Sequence, residues 1–311
     1  MSTLPHPSSL LLAVCLFSML SHLPAADSPR WGRDNARNMV SDEKGLPSAF
    51  NPGKKKAGSD EIDPATVTNL AWAAKIGSQC YGTPMIAGGT VYIGTNNESP
   101  RNPNHIGDRG VVMAFDEYSG EFKWQLITPK LGAGKVSDWE YLGMCSTPQI
   151  IGDRGYVITN RCEILCLDIK GLADGNQGMT DEALYMTAPG KDGTPHTPKV
   201  LPIDADILWF YDMRKELGVF PHNIASNYPL VHDGKVYAST SNGVDWSHTN
   251  IPAPSSPSLI CLDAATGTYE AEVSSIISER VLHCSWSSPA LGTVKGAPQI
   301  FFGAGDGWIY G

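Results

Sequence analysis

One short phrase recurs along this chain and limits its fold more than any other feature. A small residue precedes Asp, a turn closes on Gly, and another strand-like stretch follows. It occurs as Ala114-Phe115-Asp116-Glu117-Tyr118-Ser119-Gly120 running on to Trp124, again as Cys261-Leu262-Asp263-Ala264-Ala265-Thr266-Gly267, and in part as Cys166-Leu167-Asp168. Each copy follows a second phrase: Thr83-Pro84-Met85-Ile86, Thr147-Pro148-Gln149-Ile150 or Tyr228-Pro229-Leu230-Val231, with a fourth start at Ser288-Pro289-Ala290-Leu291. The prolines lie 64, 81 and 60 residues apart. Self-similarity on this scale means an array of supersecondary units, each burying its apolar faces on its neighbours.

Each unit reads as four short strands, A to D. In the first, Thr83–Ile86 is A, Thr90–Thr95 is B, Val111–Phe115 is C and Glu121–Gln125 is D. β-branched and aromatic residues between Gly, Pro and Asp turns support strands rather than helices. Four-stranded antiparallel units arranged radially make an all-β fold, a β-propeller. The expected blades span about 80–125, 144–211, 226–272 and 284–311, within a partial propeller over 69–311 that follows an extended segment over 27–68. Residues 170–206 are an insertion between C and D of the second blade, expected to be a mobile surface excursion. Its Asp174-Gly175-Asn176-Gln177-Gly178 hints at a calcium loop but lacks the third acidic ligand and the closing Glu.

These phrases resemble the pyrroloquinoline-quinone-type (PQQ-like) propeller repeats, in a branch of exported bacterial proteins. The resemblance rests on the Asp-turn-Gly phrase with its tryptophan. It also rests on the longer stretches 77–82, 215–223, 241–245 and 286–292, and covers roughly residues 28 to 311. Trp124 and Trp209 are read as closing the first and second blades, and Trp72 as a strand completing the last blade of a ring. Ala271 stands where the third tryptophan would fall, which predicts a weaker closure there. The chain encodes about three and a half blades where rings of this type use about seven or eight. It is therefore read as the N-terminal portion of a longer propeller.

The first 26 residues read as an export signal, with an apolar run over Leu10–Leu20 and small residues at Ala25-Ala26. A periplasmic or secreted protein is expected, with no transmembrane segment. Net charge is −9, and no basic run exceeds Lys54-Lys55-Lys56. Such a surface repels phosphate backbones, so no nucleic-acid partner is expected. Cys166 and Cys261 occupy the position of Ala114 and read as packed small hydrophobes.

Loop lengths set the two edges of the blades apart. The A–B turns are tight, whereas the B–C and D–A links are long and share one edge, the expected ligand face. Asp212 and Gly218 are placed to cap a short helix at 212–218, which would position His222 and Asn223. These two residues are either ligand contacts or loop packing with His222 bonded to backbone. His105 with Asp108 and His248 with Asp245 lie in B–C loops on the same edge. Their spacing identifies no metal site, and no metal is assigned. Trp286 could stack on a flat ligand or pack into the channel wall. Cys80 and Cys145, near the inner strands, are candidates for a disulfide.

The resemblance is specific for fold and not for activity. A quinoprotein dehydrogenase would bring PQQ and calcium, a vicinal Cys-Cys pair, and a Glu, Asn and Asp ligand set. No Cys-Cys pair occurs and no such set can be transferred residue by residue, so no cofactor is assigned. The reading favours a non-catalytic binding or scaffold propeller of the cell envelope, whose partner is an envelope protein or small polar ligand. A PQQ-dependent dehydrogenase for an alcohol or sugar is the alternative, and a carbohydrate-binding propeller a second.

Overall fold

A computed structural model of the protein describes residues 26–311 apart from residue 191. The stretch read as the export signal lies outside the described residues, save for Ala26. Three four-stranded sheets and one three-stranded sheet follow one another along the chain. The first holds β1 (Met85–Ala87), β2 (Thr90–Asn96), β3 (Gly110–Asp116) and β4 (Phe122–Thr128), paired in that order. The second holds β5 (Gln149–Ile151), β6 (Arg154–Ile158) and β7 (Glu163–Asp168). After the insertion carrying α1 (Glu182–Tyr185), β8 (Ala188–Pro189) and β9 (Pro195–His196), its outer strand is β10 (Ile207–Asp212). A short helix, α2 (Met213–Leu217), leads to the third sheet: β11 (Leu230–His232), β12 (Lys235–Ser239), β13 (Leu259–Asp263) and β14 (Tyr269–Glu272). The fourth holds β15 (Ala290–Val294), β16 (Ala297–Gly303) and β17 (Ile309–Tyr310). Every neighbouring pair within these sheets is antiparallel, which is the blade order A-B-C-D read from the repeats.

The repeats match in register as well as in order. Ala114 pairs with Trp124, Cys166 with Trp209 and Cys261 with Ala271. The A–B hairpins Gly88-Gly89, Asp233-Gly234 and Lys295-Gly296 all have positive φ at both residues. That geometry matches the right-handed twist of the flanking strands. The C–D turn is closed by its aspartate. Asp116 Oδ1 accepts from the amides of Tyr118 and Ser119 at 3.1 and 3.0 Å, and Asp263 Oδ1 from those of Ala265 and Thr266 at 3.0 and 2.8 Å. These bonds hold the Asp116 carboxyl down at about 2, the Ser119 amide contributing most.

The tryptophans tie each blade to the next. Trp72 donates its indole N–H to Glu117 O in the first blade at 2.8 Å and lies over Gly120. Trp124 of the first blade does the same to Ile169 O and Gly171 of the second, and Trp209 of the second to Ala264 O and Gly267 of the third. Each indole thus covers the turn of the following blade. Trp72 lies in extended chain outside any strand, unlike the sequence reading. A D strand forms only against a C strand of its own blade, and the described residues hold none ahead of Trp72.

The core lies between blades. Tyr92, Val112, Ala114 and Trp124 of the first pack on Ile150, Val157, Leu165 and Leu167 of the second. Ile158, Ile164 and Cys166 pack on Val236, Ala238, Ile260 and Leu262 of the third. The opposite face of the first blade (Val111, Met113, Phe115) is covered by Ala74 and Ile76 from the preceding segment.

Two segments outside the blades are tied to them. The insertion over 170–206 is docked rather than a free excursion. Asp204 forms a parallel bridge with Gln125 on the outer strand of the first blade, the Met179 amide donates to Ile207 O at 3.0 Å, and the Gln177 amide to Asp206 Oδ2 at 3.1 Å. Its calcium-like carboxylate Asp174 pairs with Lys170 at 2.9 Å, and Asn176 donates to Glu182 at 2.9 Å. The outer edge of a blade carries unpaired backbone groups, and the insertion supplies partners for them.

The extended segment is likewise engaged. Residues 28–37 run across the innermost strands of all four blades. Ser28 bridges Ile86, Pro29 O accepts from the Ile150 amide, the Asn35 side chain donates to Val231 O, and Asn35 O accepts from the Leu291 amide. Trp31 stacks on Tyr228 with centroids 5.6 Å apart and planes 4° from parallel. The Arg37 guanidinium donates to the carbonyls of Trp31, Tyr228, Pro229 and Pro289 and to Gln149 Oε1, at 3.0 to 3.2 Å. Burial pushes that guanidinium down to about 10.

Candidate functional site

The best-developed side-chain cluster stands on the long-loop edge, over the second, third and fourth blades. It begins with α2. Asp212 accepts from the amides of Arg214 and Lys215 at 3.0 and 3.1 Å, and Gly218 ends the helix at φ 67°. The chain then bends at Asn223 (φ 57°) and is held from both sides. The Asn223 amide donates to Val136 O at 2.8 Å, and Asn223 O accepts from the Trp139 amide at 2.7 Å. On the other side Pro221 bridges Asn242, and the Gly243 amide donates to Phe220 O at 3.0 Å. The Val244 amide in turn donates to His283 O at 2.9 Å, and Gly243 bridges Cys284. Three loop segments far apart in sequence are thereby stitched side by side. Only glycine fits at their crossing, because a Cβ on Gly243 would lie 2.5 Å from His283 O and 2.7 Å from His222 Cβ.

This stitching brings His222, His248 and His283 together, with one nitrogen from each lying within 4.8 Å of the others. The rings meet edge to face, with centroids 4.4 Å apart for His222 and His283, 4.8 Å for His222 and His248, and 5.0 Å for His248 and His283. His222 is fully buried, whereas His248 and His283 are exposed. His222 Nδ1 is hydrogen-bonded to Val244 O at 2.7 Å, and its Nε2 is buried without a partner. His248 Nδ1 sits 2.9 Å from Trp246 O. Asp245 shapes the loop that carries His248, accepting from the Ser247 amide at 2.9 Å and from Asn250 Nδ2 at 3.0 Å. Burial lowers the His222 imidazole below its ordinary value, and the neighbouring His283 and His248 push the same way. His283 is lowered as well, first by burial and then by His248.

Aromatic rings border the cluster. Trp286 lies 5.2 Å from His283 and donates its indole N–H to Ile224 O at 2.8 Å. Trp246 lies 6.2 Å from His248 and 6.1 Å from Trp139.

Of the residues named from the sequence, the structure therefore gathers His222, His248, Asp245, Asn223 and Trp286. His105 and Asp108 are elsewhere. His105 is buried with Nε2 3.8 Å from Asp204 Oδ1, beneath the insertion. Asp108 accepts from the Tyr141 amide at 2.7 Å. The B–C loops that carry His105 and His248 belong to the first and third blades, which are not neighbours in the blade order. Sequence reasoning missed His283, although it immediately precedes Cys284 in a D–A link flanking the His248 loop. Cys80 and Cys145 are free thiols rather than a disulfide. Cys80 is exposed, while burial pushes Cys145 up to about 12.

Blade order, the Asp-closed turn and the tryptophan over the next blade's glycine together define the repeat. It is the four-stranded blade of a β-propeller. Among solved structures, this chain is similar to a europium-containing methanol dehydrogenase, at 16% identity and TM-score 0.36 over 65% of this chain and 26% of that one. It is also similar to the quinohemoprotein alcohol dehydrogenase from Comamonas testosteroni, at 14% identity and TM-score 0.39 over 89% of this chain and 46% of that one. BamB from Moraxella catarrhalis matches at 11% identity and TM-score 0.27, over 78% of this chain and 59% of that one. The chain thus spans less than two thirds of the length of each. No protein-family model matches it, and no curated protein does.

The resemblance of the repeats would imply a quinone, and the described residues beside the inner strands do not fit one. The axis side of the inner strands is filled by Trp31 stacked on Tyr228 and by Arg37 among four backbone carbonyls. The six described cysteines are all free and none is adjacent to another in sequence. Trp286, the ring that could have served as a floor, is engaged by Ile224 O and His283.

Among the described residues no helix is long and apolar enough to cross a membrane.

Proposed function

We propose that this chain is an exported, non-catalytic PQQ-like propeller of the cell envelope that binds a partner through its long-loop edge. The observation that carries this reading is the placement of exposed apolar side chains. Tyr141, Trp246, Ile276 and Leu282 are 49–73% exposed, and all four lie in B–C or D–A links. Rings and aliphatic chains held in water on one edge of a rigid scaffold mark a surface that gains by being covered. An envelope protein or a small polar ligand suits this mixture of tryptophan, histidine and backbone groups.

The test is site-specific photocrosslinking in envelope preparations of the full chain. A photoreactive residue at Trp246 is expected to trap a discrete partner, whereas one at Tyr118, on the opposite edge, is not. Equal trapping from both positions, or none from Trp246, would defeat the reading. PQQ-dependent dye reduction with alcohols or sugars in the presence of calcium would replace it with a dehydrogenase.

A further inference from the structure

We propose that His222, His248 and His283 form a binding site for a first-row divalent cation of borderline softness, Zn2+ or Cu2+, with one coordination position open to solvent. The proposal goes beyond the partner-binding reading and depends on it for nothing but its place on the same edge.

The donor set comes first. Three imidazoles and no carboxylate suit zinc, copper or nickel and are poor ligands for calcium or magnesium, which take oxygen. A set of three histidines with a fourth position left to water is a known arrangement for zinc. The nitrogens here lie within 4.8 Å of one another. Metal–nitrogen distances of about 2.0–2.1 Å in a tetrahedral site require them about 3.3 Å apart. The cluster must therefore contract by about an ångström or somewhat more. His248 and His283 are exposed side chains on loops, so rotation about their own side-chain bonds supplies the movement.

His222 provides the fixed point, and it is the observation independent of mere proximity. It is fully buried, its Nδ1 is committed to Val244 O at 2.7 Å, and its Nε2 has no partner at all. A buried ring nitrogen without a partner is costly. The same division of labour, one nitrogen on a backbone carbonyl and the other free, orients histidines that ligate metals. His248 repeats it, with Nδ1 on Trp246 O. Backbone bonds from Gly243 and Val244 to Phe220 and His283 hold the three segments in place before any ion arrives.

The deciding experiment titrates the full chain, free of any histidine tag, with Zn2+ by calorimetry and with Co2+ by visible absorption. One saturable equivalent is expected, with Co2+ showing the intense bands of low coordination number. His248→Ala and His283→Ala should each weaken binding by about tenfold or more. Both side chains are exposed, so these variants fold even where His222→Ala does not. His105→Ala serves as the control and should leave binding unchanged. Absence of a saturable equivalent, or one that survives both His248→Ala and His283→Ala, overturns the proposal. Neither outcome touches the crosslinking test of the partner surface, so the two readings fail separately.

Discussion

Trp209 lies so close over Gly267 that a Cβ on that glycine would stand 2.5 Å from Cε3 of the indole. The ring belongs to the second blade and the glycine to the third, and the indole N–H donates to Ala264 O at 3.3 Å. Gly267 also sits at φ 72°, where a side chain is strained. Gly267→Ala is therefore expected to cost about 2–4 kcal/mol, from strain and overpacking together. Trp209→Ala should cost about 2–4 kcal/mol by leaving a hole between blades. The two costs should fall short of additive by about 1 kcal/mol or more in urea unfolding, since each removes the same contact. Simple additivity would mean that ring and turn are not coupled.

Arg37 is the second cross-blade tie. Its guanidinium serves carbonyls from Tyr228, Pro229 and Pro289 as well as Trp31 O. Arg37→Met keeps much of the stem and removes every donor, leaving part-buried carbonyls without partners. A loss of about 2–4 kcal/mol is expected. Hydrogen exchange should show where it acts: the amides of Ile86, Ile150 and Leu291, which bond the 28–37 segment, should exchange faster than those in the outer strands. Uniform acceleration across all strands would instead make Arg37 an ordinary stability residue.

The strands were legible because their signals are local. Period-two alternation, hairpin glycines and the Asp turn each act within about ten residues, and all point to the same blade. Gly171 was not recognised as the docking glycine of the second blade, because its turn is one residue shorter than the others and runs straight into the insertion. The 28–37 segment has no periodicity to read, since its partners are backbone groups of four strands spread over about two hundred residues. The histidine cluster was half legible. His222 and His248 were named, but blade-to-blade analogy linked His248 with His105, which occupies the corresponding loop two blades away. Adjacency on the edge follows a different rule: a B–C loop meets the D–A links on either side of it. That rule joins His222, His248 and His283, and it depends on tertiary stitching at Gly243.

Thiol chemistry distinguishes the free cysteines from the disulfide expected between Cys80 and Cys145. Cys80 is exposed, whereas Cys162, Cys166, Cys261 and Cys284 are buried. Burial pushes Cys145 and Cys166 up to about 12. Alkylation of the native protein without reductant should label Cys80 promptly and leave these others unmodified until denaturant is added. Mass spectrometry reads the result directly. A Cys80–Cys145 peptide pair would reinstate the disulfide.

The histidine cluster should give the fold a measurable dependence on pH. Burial lowers His222 from its ordinary value near 6.5, with His283 and His248 adding to the effect and Asp245 and the bond to Val244 O opposing it. As pH falls through 6.5 the unfolded chain takes up a proton at this position before the folded chain does. The associated stability is thus complete above the ordinary histidine value and is lost progressively below it. His283 is shifted in the same direction and contributes with the same sign. Between about pH 7 and about pH 5 this contribution lowers the urea midpoint of the metal-free protein, while Asp206, pushed up to about 6 by burial, works the other way, so the histidine part is read as the difference between the native chain and a His222 variant. His222→Gln keeps an amide that can reach Val244 O but cannot titrate there, so its midpoint should fall less over the same interval. An identical fall in the variant would place the proton uptake elsewhere.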